Sequence, residues 1–147
     1  GKGALAAALG LVLHRPEQGY SAQDLASACT LVAAVGHTWP VFFGFRGGKG
    51  AGTLVGGLCV CWPMAVAPLF LCWIGCLVLT GYVGLSTIVA ALLLIPLALW
   101  WTPAQLLFAL LAAGFIVFTH RSNVQRLWQG TEHRFERVRV LRRRDRA

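Results

Sequence analysis

The sequence predicts an all-α integral membrane protein, a polytopic bundle of about six membrane helices. The chain is 57% hydrophobic and 12% charged, whereas a soluble domain carries about a quarter charged residues. From Gly50 to Thr119 it contains no Asp, Glu, Lys, Arg or His. One membrane helix needs roughly 20 apolar residues, so this stretch provides for several crossings. No alternating polar pattern typical of a membrane barrel is present, which leaves helices as the spanning elements.

The first apolar run, 3–13, is short for a span and ends in a polar turn at 14–20. Ser21 or Asp24 is suited to cap the next helix, which runs toward Gly36. The chain has no recognisable cleavable signal peptide. Because it starts with Gly1 rather than Met, we expect it to begin inside a longer protein.

Three breaks divide the apolar sequence after Gly50: Trp62-Pro63, the Gly81 to Gly84 segment, and the Trp100 to Pro103 segment. They predict helices near 51–61, 65–80, 85–99 and 103–119, with a proline at the first turn of the last. Pro68 and Pro96 are expected near helix ends. The spacing of Gly52 and Gly56 favours close helix approach.

The most distinctive segment lies between the second and third helices and reads His37-Thr-Trp-Pro-Val-Phe-Phe-Gly-Phe-Arg-Gly-Gly-Lys-Gly-Ala-Gly-Thr53. Five glycines between Gly44 and Gly52 let the backbone approach a ligand, so that N–H groups turn toward an anion. Arg46 and Lys49 add full positive charge. The sequence therefore predicts a loop that binds an anionic group.

Two other interpretations of this loop are available. A Walker nucleotide loop does not fit, because Phe43 occupies the position of its first glycine and Gly50 replaces its Ser or Thr. A flexible basic linker between two membrane helices fits the glycines and cations alone. The aromatic residues that accompany them favour a site for a lipid-like substrate at a membrane surface.

Counting crossings places Lys2, the Arg46/Lys49 loop and the segment after His120 on one membrane face. Twelve of the thirteen Lys and Arg residues then lie on that face, and Arg15 lies on the other. Cytoplasmic loops are enriched in Lys and Arg, so this face is predicted to be cytoplasmic. The glycine loop and the C-terminal polar segment are therefore expected to share the cytoplasmic face.

On a helix beginning near His120, that residue lies on the same face as Asn123 and either Arg126 or Leu127. The three polar side chains could aim at one point, although each also has a structural interpretation as a membrane boundary, a helix cap or a lipid contact. The arginine-rich segment after residue 135 is predicted to be a basic cytoplasmic tail, 136–147, that binds anionic lipid. Nucleic-acid binding is not expected, because interleaved aromatics and a known nucleic-acid fold are lacking.

The five cysteines all lie in apolar runs without a neighbouring His or carboxylate. They are interpreted as small hydrophobic residues, and neither a metal site nor a cofactor is expected. The cysteines are Cys29, Cys59, Cys61, Cys72 and Cys76.

Two separated motifs resemble the bacterial acyl-phosphate:glycerol-3-phosphate acyltransferase family, the PlsY type. The family's central motif, approximately H-x-x-P-x-F-x-x-F-x-G-G-K-G-x-A-T, is matched by His37, Pro40, Phe42, Phe45, Gly47, Gly48, Lys49, Gly50 and Thr53. Gly52 stands where alanine is usual. A later motif, H-x-x-N-x-x-R-L-x-x-G-x-E, is matched by His120, Asn123, Arg126, Leu127, Gly130 and Glu132.

The resemblance implies acyl transfer from an acyl phosphate to the primary hydroxyl of glycerol 3-phosphate in bacterial phospholipid synthesis, at the cell membrane. It implies catalytic roles for Lys49, His120 and Asn123. Substrate-binding roles are implied for His37, Arg46, Gly47, Gly48, Gly50, Thr53, Arg126 and Glu132. Residues 1–135 would form the membrane acyltransferase domain.

The family's first motif, a Gly-Ser segment followed by Asn and Arg, does not occur in this sequence and is expected before residue 1, while Lys2-Gly3 resembles the end of the family's D-x-x-K-G segment. Seven membrane helices are expected in the whole protein, and this chain alone is expected to be inactive. A transporter or scaffold with an anion-binding loop is the alternative function. The lack of charged residues inside the predicted spans favours an enzyme that works at the membrane face.

Overall fold

The computed structural model describes residues 1–17 and 19–135, which contain seven α-helices and two short 3₁₀ turns. The helices are α1 (Lys2–Leu13), α2 (Ala22–Thr38), α3 (Ala51–Cys61), α4 (Pro63–Thr80), α5 (Val83–Trp101), α6 (Leu106–Thr119) and α7 (Arg121–Trp128). The 3₁₀ turns are Val41–Phe43 and Pro103–Gln105. The predicted all-α fold class is confirmed, while the predicted basic tail, 136–147, lies outside the described residues.

All six predicted apolar helices form, but they differ in length. Within the described residues, three helical segments are long and apolar enough to cross a membrane: Ala22–Phe43, Pro63–Thr80 and Val83–Trp101. The segment Pro103–Thr119 joins α7 at a bend of 55°, and together they make a fourth if the pair is one broken span. At 1.5 Å per residue, α1 and α3 are shorter than a bilayer core. The number of six spans therefore stays a prediction.

Helix starts follow the local sequence. Ser21 caps α2 in a capping box, in which its hydroxyl accepts from the Asp24 amide and the Asp24 carboxylate accepts from the Ser21 amide. Helix α4 begins at Pro63, two residues earlier than predicted, because proline suits the first helical position. The expectation that Pro68 and Pro96 lie near helix ends is wrong, since both lie inside helices. Membrane helices tolerate internal proline because neighbouring groups satisfy the freed carbonyls.

Close packing in the N-terminal half depends on three glycines. A Cβ atom added to Gly3 would lie 1.8 Å from the Thr53 carbonyl oxygen, and one added to Gly10 would lie 2.7 Å from the Ala26 Cα. At Gly57 the added atom would lie 2.1 Å from Thr30 Cγ2. The first two contacts let α1 pack backbone against backbone with α3 and α2, and the third lets the Thr30 side chain of α2 lie against the α3 backbone.

The predicted contact through Gly52 is wrong, because an added Cβ there meets no heavy atom within 4 Å. Gly56, the other member of the predicted pair, does approach α1, with 3.3 Å between an added Cβ and the Ala4 nitrogen. Spacing alone could not tell which face of α3 meets another helix.

Polar contacts hold the two ends of the bundle. At one end the Ser27 hydroxyl donates to Gln105 Oε1 at 2.8 Å, and Gln23 Nε2 donates to the Cys61 carbonyl at 2.8 Å. At the opposite end the Thr119 hydroxyl donates to the carbonyl of Lys49 at 3.1 Å. The glycine loop and the segment after α6 therefore lie at the same end of the bundle.

Gly57→Ala should destabilise the fold by about 1–3 kcal/mol, because the new methyl group must displace the Thr30 side chain. Gly52→Ala, on the same helix but facing open space, is the matched control and should unfold at the same temperature or slightly higher. Thermal unfolding of both variants in detergent, followed by circular dichroism, makes the comparison. Equal melting temperatures for the two variants would contradict this account of helix packing.

Candidate active site

The glycine loop between α2 and α3 is held in place by its own glycines. The Gly47 amide donates to the Thr38 carbonyl at 3.2 Å, and a Cβ on Gly47 would lie 2.0 Å from the His37 carbonyl oxygen. A Cβ on Gly48 would lie 2.6 Å from His37 Nε2. His37 therefore packs directly on the loop, and both glycines are needed for that contact.

Gly50 ends the loop and begins α3. Its φ of 78° lies in the left-handed region, where a side chain is strained. An added Cβ would also lie 2.5 Å from Phe115 Cε1 on α6. Gly50 is buried and fixes the backbone immediately after Lys49.

The side chain of Lys49 reaches across to α7. Its Nζ donates a hydrogen bond to Asn123 Oδ1, which joins residues 74 positions apart. Asn123 is 6% exposed and presents its amide oxygen to Lys49. The Lys49 ammonium is thereby held at one position instead of sweeping through solvent.

Asn123 is bonded on its other side to Glu132. Asn123 Nδ2 donates to Glu132 Oε1 at 2.6 Å, and Arg126 Nε donates to Glu132 Oε2 at 2.5 Å. The amide orientation of Asn123 follows from these partners, since the ammonium must donate and the carboxylate must accept. The result is a continuous chain of hydrogen bonds: Lys49, Asn123, Glu132, Arg126.

Glu132 reaches this position because the chain reverses after α7. Gly130 has a φ of 68°, and the amides of Thr131 and Glu132 both donate to the Arg126 carbonyl. Such a left-handed glycine is typical of a helix C-terminus. The segment then continues to Phe135, whose amide donates to the Gly81 carbonyl at 2.8 Å.

His120 lies between α6 and α7 and is 5% exposed. Its Nδ1 is 2.9 Å from the carbonyl oxygen of Ile116. A carbonyl cannot donate, so Nδ1 carries the proton in this contact, and in the neutral ring Nε2 holds the lone pair. Thr119, which bonds the Lys49 carbonyl, is the preceding residue.

The charged groups of the site shift one another's pKa values. Removal from water is the largest cause that lowers the pKa of Lys49, and the Arg126 cation lowers it further, while the Glu132 carboxylate raises it. Burial acts to raise the pKa of Glu132, but hydrogen bonds from Arg126 and Asn123 outweigh it, so the Glu132 pKa lies below its ordinary value. At neutral pH the site therefore contains an ionised carboxylate between cations.

The structure brings some of the predicted site residues together and leaves others apart. Lys49, Asn123, Arg126 and Glu132 form the hydrogen-bonded chain, His120 adjoins it, and His37 packs against Gly48. The Arg46 side chain is exposed and makes no hydrogen bond or ion pair with the described residues. Thr53 is buried where α1 crosses α3, with its carbonyl against Gly3.

No group of three or more His, Cys, Asp or Glu residues that could hold a metal ion occurs within residues 1–17 and 19–135.

Comparison with known proteins gives the family. The family model described as "Glycerol-3-phosphate acyltransferase" matches residues 1–130. The chain belongs to this family.

Two curated bacterial acyltransferases of the family illustrate the similarity. The glycerol-3-phosphate acyltransferase of Actinobacillus succinogenes is 39% identical over 105 residues, which cover 71% of this chain and 52% of that protein. The glycerol-3-phosphate acyltransferase of Glaesserella parasuis is 36% identical over 137 residues, which cover 90% of this chain and 63% of that protein. The chain thus spans between about half and two thirds of the length of the curated relatives it matches.

A solved structure agrees with the fold. The glycerol 3-phosphate form of PlsY, an integral membrane glycerol 3-phosphate acyltransferase, is 32% identical with a TM-score of 0.76. The similarity covers 96% of this chain and 71% of that chain. Family membership, the apolar helices and this neighbour identify a bacterial membrane protein.

Two residues that position the site were not predicted as part of it. Thr119 holds the Lys49 carbonyl, and Gly84 makes room for Asn123, because a Cβ on Gly84 would lie 2.5 Å from Asn123 Nδ2. The sequence predicted Gly84 only as part of the break between two helices. Its role depends on α5 meeting α7, a contact between distant parts of the chain that no local pattern reveals.

Glu132→Gln should lower the pKa of Lys49, because the carboxylate that raises it is replaced by a neutral amide. Lys2 and Lys49 are the two lysines of the sequence, so Lys2→Arg leaves one lysine ammonium to follow. Reductive ¹³C-dimethylation and an NMR pH titration then report Lys49 directly. Glu17→Gln, in the polar turn after α1, is the matched control and should leave the Lys49 titration unchanged. An unchanged or higher Lys49 pKa in Glu132→Gln would contradict the proposed electrostatics.

Proposed function

We propose that this chain carries the catalytic face of an acyltransferase that moves an acyl group from an acyl phosphate to the sn-1 hydroxyl of glycerol 3-phosphate. The products are lysophosphatidic acid and inorganic phosphate. The observation that carries this proposal is the Lys49 ammonium fixed by Asn123 beside a glycine-rich loop at one end of the helix bundle. The glycerol 3-phosphate form of the related PlsY structure supports the choice of acceptor.

The cations of the site suit two phosphate-bearing substrates. Lys49 is the fixed cation, Arg46 is exposed on the loop, and Arg126 is half-exposed beside Glu132. We assign Lys49 to neutralise the charge that builds up on the leaving phosphate, an effect commonly worth about 10²–10³ in rate for one well-placed donor. Arg46 and Arg126 bind the substrate phosphates, with Glu132 fixing the Arg126 guanidinium.

The loop glycines and their neighbours shape the phosphate site. Gly47, Gly48 and Gly50 keep the backbone close to His37 and Phe115, so that the loop N–H groups after Gly47, whose own amide donates to Thr38, have room to face an anion. His37 supports the loop through Gly48. Thr53 acts in substrate binding from the first turn of α3, where it also packs against α1.

His120 and Asn123 order the acceptor. With Nδ1 donating to Ile116, neutral His120 offers the Nε2 lone pair to the attacking hydroxyl of glycerol 3-phosphate. The hydroxyl oxygen bonds to the acyl carbon, the bond from that carbon to the phosphate oxygen breaks, and His120 takes the proton. Phosphate leaves with the electron pair. Transfer is direct, without a covalent acyl-enzyme and without a metal or other cofactor.

The site faces the cytoplasm in this proposal. The described cations Arg46, Lys49, Arg121, Arg126 and Arg134 belong to segments at the site end of the bundle. Arg15 belongs to the turn between α1 and α2, at the end where Gln23 meets Cys61. This asymmetry matches the positive-inside rule. The tail, 136–147, would extend on the same side and bind anionic lipid.

A chimera tests the activity. Residues of this chain replace the 137 matched residues of the Glaesserella parasuis enzyme, and transfer from acyl phosphate to radiolabelled glycerol 3-phosphate is measured in lipid vesicles. Lysophosphatidic acid formation is expected. A chimera that inserts and folds but binds glycerol 3-phosphate without acyl transfer would favour the transporter or scaffold alternative.

In that chimera Lys49→Ala should reduce kcat by roughly 10²–10³, because one fixed charge on the leaving phosphate is lost. Gly48→Ala should mainly raise the KM for glycerol 3-phosphate, since the new methyl group would push against His37 and move the loop. Arg15→Ala, at the opposite end of the bundle, is the control cation and should retain normal kcat and KM. Normal activity in both loop variants would mean that the loop is a linker between helices.

A further inference from the structure

We propose that residues 41–45, the tip of the loop between α2 and α3, are inserted into the lipid of the membrane face on which Lys49 lies. The tip therefore has the bilayer surface as its partner. Its hydrophobic side chains point away from the protein. Val41, Phe42, Phe43 and Phe45 are 68%, 96%, 75% and 60% exposed.

The tip has a defined conformation. The amides of Phe43 and Phe45 both donate to the Pro40 carbonyl, at 3.1 and 3.0 Å, and the Arg46 amide donates to the Phe43 carbonyl. Gly44 and Phe45 both have a φ of 60°. A positive φ is unusual for a bulky residue and persists where the surrounding structure imposes it. The fold thus holds three phenylalanines outward.

Both ends of the loop are attached to the bundle. The Trp39 ring lies 6.0 Å from the Phe115 ring and 6.2 Å from the Phe118 ring, both on α6. On the other side, the Gly47 amide bonds the Thr38 carbonyl. The tip therefore projects from a firm base at the end of α6 that leads into His120.

The helices and cations next to the tip favour lipid over a protein as its partner. The segment Ala22–Phe43, which is long and apolar enough to cross a membrane, ends within the tip, and the shorter apolar helix α3 follows it, so the tip lies at the level where the chain leaves the bilayer. Aromatic side chains with adjacent cations suit that boundary, the rings meeting acyl chains and the cations meeting anionic headgroups. Arg46 and Lys49 follow the tip directly, and Arg121, whose guanidinium lies 4.6 Å from the Phe118 ring centroid, lies next to the base.

Insertion has a consequence for the donor. An acyl phosphate with a long chain resides in the bilayer with its phosphate at the surface. A tip sunk among the acyl chains keeps Arg46 and Lys49 at the depth of that phosphate, so the donor can reach the site by lateral movement. This consequence rests on the proposed function, whereas the insertion itself does not.

The depth of the tip tests the insertion. With the native cysteines replaced, Phe42→Cys and Phe43→Cys in this chain are labelled with an environment-sensitive fluorophore and reconstituted in vesicles of phosphatidylcholine and phosphatidylglycerol. Glu17→Cys, in the exposed polar turn after α1, is the matched control. Labels at 42 and 43 should show a blue shift, quenching by doxyl-labelled lipid and loss of quenching by iodide. The label at 17 should show the reverse.

Two outcomes would overturn the proposal. Labels at 42 and 43 that iodide quenches as strongly as the label at 17 would place the tip in water. Labels protected from both quenchers would mean that a protein surface, such as a second copy of the chain, covers the tip. Helix content measured by circular dichroism confirms for each variant that the signal comes from folded chain.

A kinetic comparison in the chimera tests the consequence. Phe42→Ser should raise the KM for a long-chain acyl phosphate in vesicles several-fold and leave the KM for glycerol 3-phosphate unchanged. Phe42→Trp should retain the parent values, because tryptophan also suits the membrane interface. An equal change in both KM values would contradict a role in donor access. A chimera without activity would refute the proposed function, while the quenching data would still decide the insertion.

Discussion

The hydrogen bond between the Lys49 ammonium and the Asn123 amide oxygen is the contact on which the rest of the site depends. It joins the glycine loop that follows α2 to α7, whereas the Thr119 hydroxyl joins that loop only to the end of α6. Asn123 suits this position because its amide both accepts and donates, so it passes the link on to Glu132. A carboxylate there would repel Glu132, and an aliphatic side chain would remove this partner from the Lys49 ammonium and leave Glu132 with Arg126 alone. The nearly complete burial of Asn123 makes each missing partner costly.

The bundle supports this contact through its smallest residues. Gly84 leaves the space that Asn123 fills, Gly130 turns the chain so that Glu132 comes back to α7, and Gly50 seats the end of the loop under Phe115. Each of these glycines meets a specific requirement: a close approach, a left-handed turn, or both. The site is therefore made rigid by backbone packing, although its segments are connections between helices. Rigid placement of charged groups is what electrostatic catalysis needs, because it avoids reorganisation during the reaction.

Much of the fold could be predicted because a bilayer permits few backbone conformations. Backbone groups in a bilayer must bond within helices, so the breaks at Trp62-Pro63 and Gly81-Tyr82 were enough to place α3 to the residue and α4 and α5 to within about two residues. The sequence also predicted that Lys49 and Asn123 lie at the same end of the bundle, because each membrane crossing moves the chain to the opposite face. What could not be predicted was which helix faces meet. Gly52 resembled a packing position and faces open space, whereas Gly57, one residue beyond Gly56, is the glycine that admits Thr30. Apolar residues surround every membrane helix, so no amphipathic stripe marks the contact face.

The loop glycines show how one residue type serves two purposes that sequence cannot separate. The sequence indicated that Gly47 and Gly48 bring backbone N–H groups close to an anion, and the structure gives a second reason, since both face His37 too closely for any side chain. The two reasons are compatible at Gly48, where the packing on His37 fixes the direction of the backbone that would meet the phosphate, whereas the Gly47 amide already donates to the Thr38 carbonyl. They differ in what a substitution disturbs: a methyl group on Gly48 acts first on His37 and only through it on a ligand. The phosphate chemistry of this loop is therefore better attributed to Lys49, whose charge has no packing role, while the glycines hold the surface on which that charge acts.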